Sequence, residues 1–439
     1  MDCSKGIELY KKARKIIPGG TQLLSKRPEM FLPERWPSYY SRCEGAEVWD
    51  LDNNKFVDMS ISGVGACILG FADPDVNKAV KAAIDKGTMS TLNCPEEVEL
   101  AELLCDIHPW AEMVRYARCG GEAMAVSVRI ARAATGRDKV AFCGYHGWHD
   151  WYIAANLSNE KNLDGQLLPG LDPAGIPRAL QGTVIPFHYN KPETLDAVIE
   201  RHGEDLAAIV MEPVRHSEPE PGFLKYVREA ATRAGAVLIF DEVTSGWRMN
   251  VGGIHLLYGV DPDIAVFAKG MSSGYPMAAV IGRRPVMEAA QKTFISSTYW
   301  TEKIGPAAAL ATIRKMRSCN VPEHLNRTGN SIRRIWKDNA ERCGLKIKVH
   351  GIPPLSILSF EYGEDSQMIS TLFTQEMLEK GFLASKAFYA TYAHEDRHIN
   401  AYDTAVNEVF RTIAEAVSEG SMETMLRGPV SHTGFKRLA

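Results

Sequence analysis

The chain has 439 residues, 45% hydrophobic and 24% charged, an ordinary globular composition and too long for one simple core, so two or three structural units are expected. Its net charge of −4 gives no electrostatic case for nucleic acid or an anionic membrane as partner. Nine cysteines without CxxC pairs or zinc spacing indicate neither a disulfide framework nor a metal site, and they fit a reducing cytoplasm.

The first residues, "MDCSKGIELYKKARKIIPGG", are charged throughout and lack the apolar core of a signal peptide. Residues 6–16 carry a basic amphipathic helical pattern that stops at Pro18-Gly19-Gly20. "AEVWDLDNNKFVDM", from residue 46, reads as two short strands around an Asp-Asn-Asn turn. The longest uncharged apolar run, "MSISGVGACILGFA" at 59–72, has 14 residues against the ~20 that a membrane helix needs. A soluble cytoplasmic protein is the expectation.

Helical periodicity follows at 74–87 and 95–107, and then strands and helices alternate. "MVRYARC" (113–119) precedes a helix over 121–135, and "KVAFCGY" (139–145) comes next. "AAIVMEP" (207–213), "AVLIFDEV" (236–243) and "IAVFAKG" (264–270) are short apolar runs, with a helix over 222–234 between two of them. Continuous apolar strands alternating with helices predict an α/β unit with a mostly parallel sheet, which binds ligands at the carboxyl ends of its strands. Residues 156–182, rich in Gly, Pro and Asn, read as a long loop inside a compact domain, of a length that is usually functional or disordered. After 305 come helices over 304–317 and 323–342, strands in "KIKVHG" and "LSILSFEYG", and a helix near 398–419, a smaller α+β domain. The expected division is 1–60, a segment that packs with the C-terminal domain, then 61–305 and 306–439.

Polar residues collect where the predicted strands end. Glu212 ends one, Asp241 and Glu242 the next, and Lys269 a third, while "RCGGEA" (118–123) and "GYHGWHD" (144–150) follow two others. Singly, each has an ordinary explanation: a helix cap, a turn, or a lysine that snorkels to solvent. Together they describe one ligand. Gly120 and Gly121 at a helix start offer free backbone N–H groups to a phosphate. Tyr145 can lie against a flat ring. Asp241 can hold a cationic ring nitrogen. Lys269 can form a Schiff base with an aldehyde, and burial at a strand end would help it reach the neutral form that such an attack needs. Phosphate, ring, ring nitrogen and aldehyde are the parts of pyridoxal 5′-phosphate (PLP).

These residues lie within a longer ordered pattern. "RKIIPGG", "AEVWDLDNNKFVD", "ILGFADPDV", "EVELAELLC", "VRIARAATGRDKV", "YHGWHD", "VMEPV", "LIFDEVTSGWRM", "VFAKGMSSGYPMAAVIG" and "AAALATI" follow one another from about residue 8 to about 415. In this the chain resembles the class III aminotransferases of PLP fold type I, and among them the branch of the glutamate-1-semialdehyde 2,1-aminomutases. The resemblance implies a large domain with a mostly parallel seven-stranded sheet and a smaller domain from both chain ends. It makes Lys269 the Schiff-base lysine, Asp241 the acid on the pyridine nitrogen and Val243 the apolar residue behind the ring. Tyr145 is then the stacking aromatic with His146 beside it, Gly120 and Gly121 the phosphate turn, and Glu212 a glutamate on the substrate side. Thr298 matches a threonine that reaches the phosphate of the other subunit, which implies a homodimer with shared sites.

The departures from the pattern carry information. The family's turn reads Ser-Gly-Thr-Glu-Ala; here it is Cys119-Gly120-Gly121-Glu122-Ala123 behind Arg118, so two hydroxyls are lost and Arg118 is a candidate to compensate. After "STYW" the family's Gly-Asn-Pro is replaced by Thr301-Glu302-Lys303. The aminomutases continue past the Pro-Gly-Gly with "VNSPVR", where this chain has "TQLLSKRP", leaving Lys26 or Arg27 for a substrate carboxylate. The reading is a PLP-dependent transaminase for a small-molecule amino donor and a carbonyl acceptor, with intramolecular amino transfer of the aminomutase type as the alternative. Trp148, His149, Tyr299 and Trp300 flank cofactor positions and are candidates to line the substrate pocket, or are ordinary core and interface aromatics. Cys119 and Cys143 read as packing residues. Glu395 and Asp396 sit near the pocket mouth in the family, and helix capping explains them as well. A nucleotide-binding oxidoreductase would need a GxGxxG after a strand, and the sequence has none.

Overall fold

The computed structural model describes residues 2–166, 168–214 and 217–435. It divides into two units: Pro74–Pro322, and Met1–Asp73 together with Glu323–Ala439. The sequence pattern placed the joins at 60 and 305; in the structure they lie at 73/74 and 322/323. The helix Ile304–Ser318 therefore belongs to the larger unit, where Lys303 donates its backbone N–H to Thr88 O and Lys315 pairs with Asp75.

The larger unit is built on seven strands: β1 (Met113–Ala117), β2 (Lys139–Cys143), β3 (Val184–Pro186), β4 (Leu206–Met211), β5 (Val237–Asp241), β6 (Ile264–Phe267) and β7 (Ala278–Gly282). Their spatial order is β1-β7-β6-β5-β4-β2-β3. All neighbours are parallel except β7, which runs antiparallel to both β1 and β6. Every residue of β4, β5, β6 and β7 is buried, which is why these strands read as unbroken apolar runs rather than as alternation. The pleat still sorts them. Val140, Phe142, Val210 and Ile239 face one core with Met124, Val128 and Ile130 of the helix Gly120–Thr135. Ala141, Ile209, Leu238 and Phe240 face the other, with Leu195 and Val227 from the helices Pro192–His202 and Phe223–Ala234. β1, β2, β4, β5 and β6 all run in one direction, so their carboxyl ends line one edge of the sheet.

The smaller unit joins the two chain ends. Strands Tyr40–Glu44, Glu47–Asp50 and Lys55–Met59 are antiparallel, and Phe382–Ala384 adds to the last in parallel. A second, three-stranded sheet holds Ile347–His350, Leu355–Phe360 and Ala387–Tyr389. The helices Val321–Cys343 and Asp396–Glu419 meet at Trp336 and Tyr402, both fully buried, where the indole N–H donates to the phenol oxygen at 2.9 Å. No helix among the described residues is long and apolar enough to cross a membrane.

Candidate active site

Lys269 begins a short 3₁₀ turn two residues past the end of β6 and has φ of 45°, a left-handed conformation that a non-glycine residue holds only when its surroundings impose it. Gly270 and Met271, both buried, follow it. The lysine is half-buried and its Nζ donates to Thr244 Oγ1 at 2.8 Å. Thr244, in the turn after β5, was not singled out in the sequence. Its signal there is only its place three residues after Asp241.

Asp241 ends β5 and is 3% exposed. Its Oδ1 accepts the Val243 N–H at 3.0 Å, and its Oδ2 lies 2.8 Å from Nδ1 of His146, itself buried. His146 Nε2 is 3.1 Å from the Cys143 carbonyl, which can only accept, so that nitrogen carries a hydrogen. The imidazole is fixed from both sides and lies parallel to Trp151, with ring centroids 6.1 Å apart. His146 is thus brought to the acid, a role that the sequence, which placed it only beside Tyr145, did not reveal.

Behind Asp241 lies a second buried network. Glu242, fully buried, accepts from the backbone N–H of His255 at 3.0 Å, His255 Nδ1 at 2.9 Å and the Ser245 hydroxyl at 2.6 Å. Burial alone would raise the Glu242 carboxyl, but these hydrogen bonds outweigh it and hold it below the usual carboxylate range. Trp110 donates to His255 Nε2 at 3.0 Å, and the Gly253 N–H donates to His108 Nε2 at 2.9 Å. Burial lowers His108 from 6.5 to about 4, so it is neutral near pH 7.

The segment after β2 is gripped by side chains from three directions. Tyr152 donates to Gly144 O at 2.9 Å, Gln166 Oε1 accepts the Gly144 N–H at 2.6 Å, and Glu212 Oε2 accepts the Tyr145 N–H at 3.1 Å. Gly144 has φ of 112°, and a Cβ on it would lie 2.7 Å from Glu212 Oε2, so only glycine fits. Tyr145 meets Tyr152 edge to face and rests on the larger core.

The turn into the helix Gly120–Thr135 completes the cluster. Glu122 Oε2 accepts the N–H groups of Arg118 and Cys119, both at 3.0 Å, which leaves those of Gly120 and Gly121 without intrahelical partners at the helix start. A Cβ on Gly120 would come 2.9 Å from Val243 Cγ1, so the turn lies directly against the residue expected behind the ring. Gly147 approaches the Gly121 Cα so closely that a Cβ there would be 3.1 Å away. His149 stacks on Trp148 at 4.3 Å, and its Nδ1 is buried without a hydrogen-bond partner among the described residues.

Arg118 does not point to this turn. Its guanidinium donates to Ala117 O, Trp300 O and Glu302 O at 3.1, 3.0 and 2.9 Å, and its Nε lies 3.0 Å from Glu302 Oε1. Glu302 also caps the helix Ile304–Ser318 through the N–H groups of Ile304 and Gly305. The two departures from the family pattern are therefore partners: Arg118 and Glu302 fasten the 298–302 loop to β1. Trp300 packs on the larger core, while Thr298 is exposed and Tyr299 and Trp148 are each 71% exposed.

The long segment 156–182, of which Leu167 lies outside the described residues, is tied down. Leu163 is fully buried, and buried Asn156 bonds to Leu163 N and Leu171 O at 2.9 and 2.6 Å. No cluster among the described residues could hold a metal ion.

The residues present fit the group that the sequence implied. Asp241 keeps lone pairs for a ring N–H beyond the bonds it already accepts, a Cβ at Gly120 would crowd Val243, and Lys269 lies two residues past the end of β6. A doubly wound sheet that carries this cluster at its strand ends defines a fold type I transferase. The chain belongs to the class-III aminotransferase family, whose model matches residues 33–391. It is 30% identical over 417 residues to a 3-aminobutyryl-CoA aminotransferase of Cloacimonas acidaminovorans, covering 92% of this chain and 96% of that one. It is 32% identical over 427 residues to a glutamate-1-semialdehyde 2,1-aminomutase of Methanothermobacter thermautotrophicus, covering 92% and 98%. A transaminase solved with PLP bound superposes with a TM-score of 0.84 at 27% identity, over 94% of this chain and 99% of that one.

Proposed function

We propose that the protein is a PLP-dependent aminotransferase that moves an amino group from an amino-acid donor to a carbonyl acceptor at Lys269. The observation that carries this reading is the placement of the Lys269 Nζ, 2.8 Å from Thr244 Oγ1 at the same sheet edge as Asp241 and the Gly120–Gly121 turn. The cofactor, when bound, supplies an aldehyde for amine exchange and an electron-withdrawing ring. Lys269 is the nucleophile for that aldehyde and, as a free amine, takes the proton from the amino-bearing carbon of the donor and returns one to the acceptor. Thr244 orients the Nζ. Asp241, fixed by His146 and the Val243 N–H, keeps a proton on the ring nitrogen. Tyr145 covers the ring and the glycine turn holds the phosphate.

The unit that acts is a homodimer in which Thr298 contributes to the neighbouring site. Its exposed position on a fastened loop, beside exposed Tyr299, supports this. The protein works in the reducing interior of the cell, where its nine unpaired cysteines are at home. An aminomutase would need a segment that opens and closes on its intermediate. Segment 156–182 is the candidate, and its buried anchors Asn156 and Leu163 favour the transaminase reading.

An absorption spectrum tests this. A visible band is expected, bleached by L-glutamate, L-alanine or an ω-amine and restored by a keto acid. Lys269→Ala should lose the band and at least about 10⁴-fold of activity. A band that no donor shifts would favour intramolecular transfer, with 4-amino-5-oxopentanoate as the substrate to try. No band with added cofactor would overturn the reading.

A further inference from the structure

We propose that His149 is a phosphate ligand of the cofactor, in place of the hydroxyl that the glycine turn lacks. The inference rests on the reading above that this turn receives a phosphate.

Three observations meet at one spot. A Cβ on Gly121 would lie 3.1 Å from both Cε1 and Nδ1 of His149, so the imidazole fills the volume that a side chain at 121 would take. The edge it presents there carries Nδ1, which is buried and bonded to nothing among the described residues. A buried nitrogen without a partner is costly unless a ligand completes it. The ring is also held in place: it stacks on Trp148 with an interplanar angle of 25°, and the His149 carbonyl accepts the N–H groups of Tyr152 and Ile153 at 2.9 and 3.2 Å. Gly120 and Gly121 occupy the first two positions of the helix Gly120–Thr135, where a backbone N–H has no intrahelical acceptor.

A threonine at 121 would press on the His149 imidazole, which would have to shift by a few tenths of an ångström to admit it. The family pattern has the threonine; this chain has the imidazole. Burial lowers His149 from its ordinary value, against the opposing pull of Glu122 and Asp150, so it is a neutral donor before the phosphate arrives. Nδ1–H then donates to a phosphate oxygen, a charge-assisted bond of the stronger kind.

The test compares PLP with pyridoxal, which has the ring and aldehyde but no phosphate. Full-length protein stripped of cofactor is titrated with each, by absorbance and equilibrium dialysis. His149→Phe keeps the ring volume and the stacking on Trp148 but removes the nitrogens. It should weaken PLP about ten- to a hundredfold and leave pyridoxal within about twofold. His149→Gln, which keeps an N–H donor, should recover most of the loss. Gly121→Thr alone should weaken PLP, because its Cβ meets the imidazole, and Gly121→Thr with His149→Ala should bind better than either single variant. If His149→Phe does not fold, the double variant carries the test. Equal losses for PLP and pyridoxal, unchanged PLP affinity, or no recovery in the double variant would overturn the role of His149 and leave the cofactor reading intact. If unaltered protein forms a visible band with neither compound, the cofactor reading itself fails.

Discussion

The two ends of the site are built on opposite plans. At the acid end every polar group named is dry and satisfied: Asp241 is held by His146 and Val243, and Glu242 by His255 and Ser245, all at 0–3% exposure except Val243. At the glycine turn the N–H groups of Gly120 and Gly121 have no intrahelical acceptor, His149 Nδ1 has no hydrogen-bond partner among the described residues, and Trp148 and Tyr299 are each 71% exposed. A fully bonded buried network fixes one geometry before any ligand arrives. Unfilled donors next to exposed aromatics leave completion to something outside the chain. The acid end is therefore the preorganised half, and the end at the glycine turn, where the proposed function places the phosphate, is the half whose donors a bound group would complete.

The largest effect should follow from cutting the preorganised half. Asp241→Ala removes the acid and leaves His146 Nδ1 buried without its acceptor. Steady-state assays should show a loss of about 10³-fold in kcat, and urea unfolding a loss of about 3 kcal/mol. Loss of activity at unchanged stability would mean that His146 finds another partner and the acid end is less rigid than its bonds suggest.

Acid should also weaken that half. His108 is held at about 4 against 6.5 in the unfolded chain. Because the folded value is depressed, its contribution is complete above pH 6.5 and disappears as the pH falls from about 6.5 to about 4, up to about 3 kcal/mol. His394, in the smaller unit, is lowered to about 4 by the same burial and has the same sign. Thermal melts of His108→Gln, whose amide can donate to Leu104 O and accept from Gly253 N–H without titrating, should show a shallower slope over that range than the unaltered protein. An identical slope would assign the acid sensitivity elsewhere.

Much of this contrast was legible in the sequence and part was not. Lys269, Asp241 and the Gly120–Gly121 turn stand at ends of short apolar strands, and a buried parallel strand announces itself by composition alone. β3 is three residues long and includes Pro186, and Tyr40–Glu44 is largely exposed, so neither carries a hydrophobic pattern to read. The pairings at the site are harder still. His146 meets Asp241 across 95 positions and Arg118 meets Glu302 across 184, and no local periodicity encodes which long side chain turns toward which loop. Arg118 followed by a glycine turn suggests a phosphate ligand, yet the carbonyls of Ala117, Trp300 and Glu302, the Glu302 carboxylate and Met277 Sδ draw it the other way.

The clasp between Arg118 and Glu302 can be measured. Arg118→Leu and Glu302→Gln should each cost about 2 kcal/mol in urea unfolding. Because they remove the same contact, the double variant should cost less than the sum by about 1 kcal/mol. Additive losses would show that Glu302 serves the helix Ile304–Ser318 as a cap independently of Arg118.

The smallest effect on the chain itself should come from Phe294→Ala. The ring is 86% exposed, and the Phe294 carbonyl accepts from Arg129, on the helix that starts at the glycine turn and about 13 Å along it. Removing an exposed ring changes folding stability by less than about 0.5 kcal/mol. Association is another matter. A large aromatic on a face that a second copy covers is the kind of residue on which an interface depends, and its loss should raise the dimer dissociation constant about tenfold or more in sedimentation. The two readouts separate what one variant would otherwise confound: a phosphate end completed by a partner predicts unchanged unfolding of the chain with weakened association. Unchanged association as well would mean that the face stays open, and that Thr298 serves its own subunit or none.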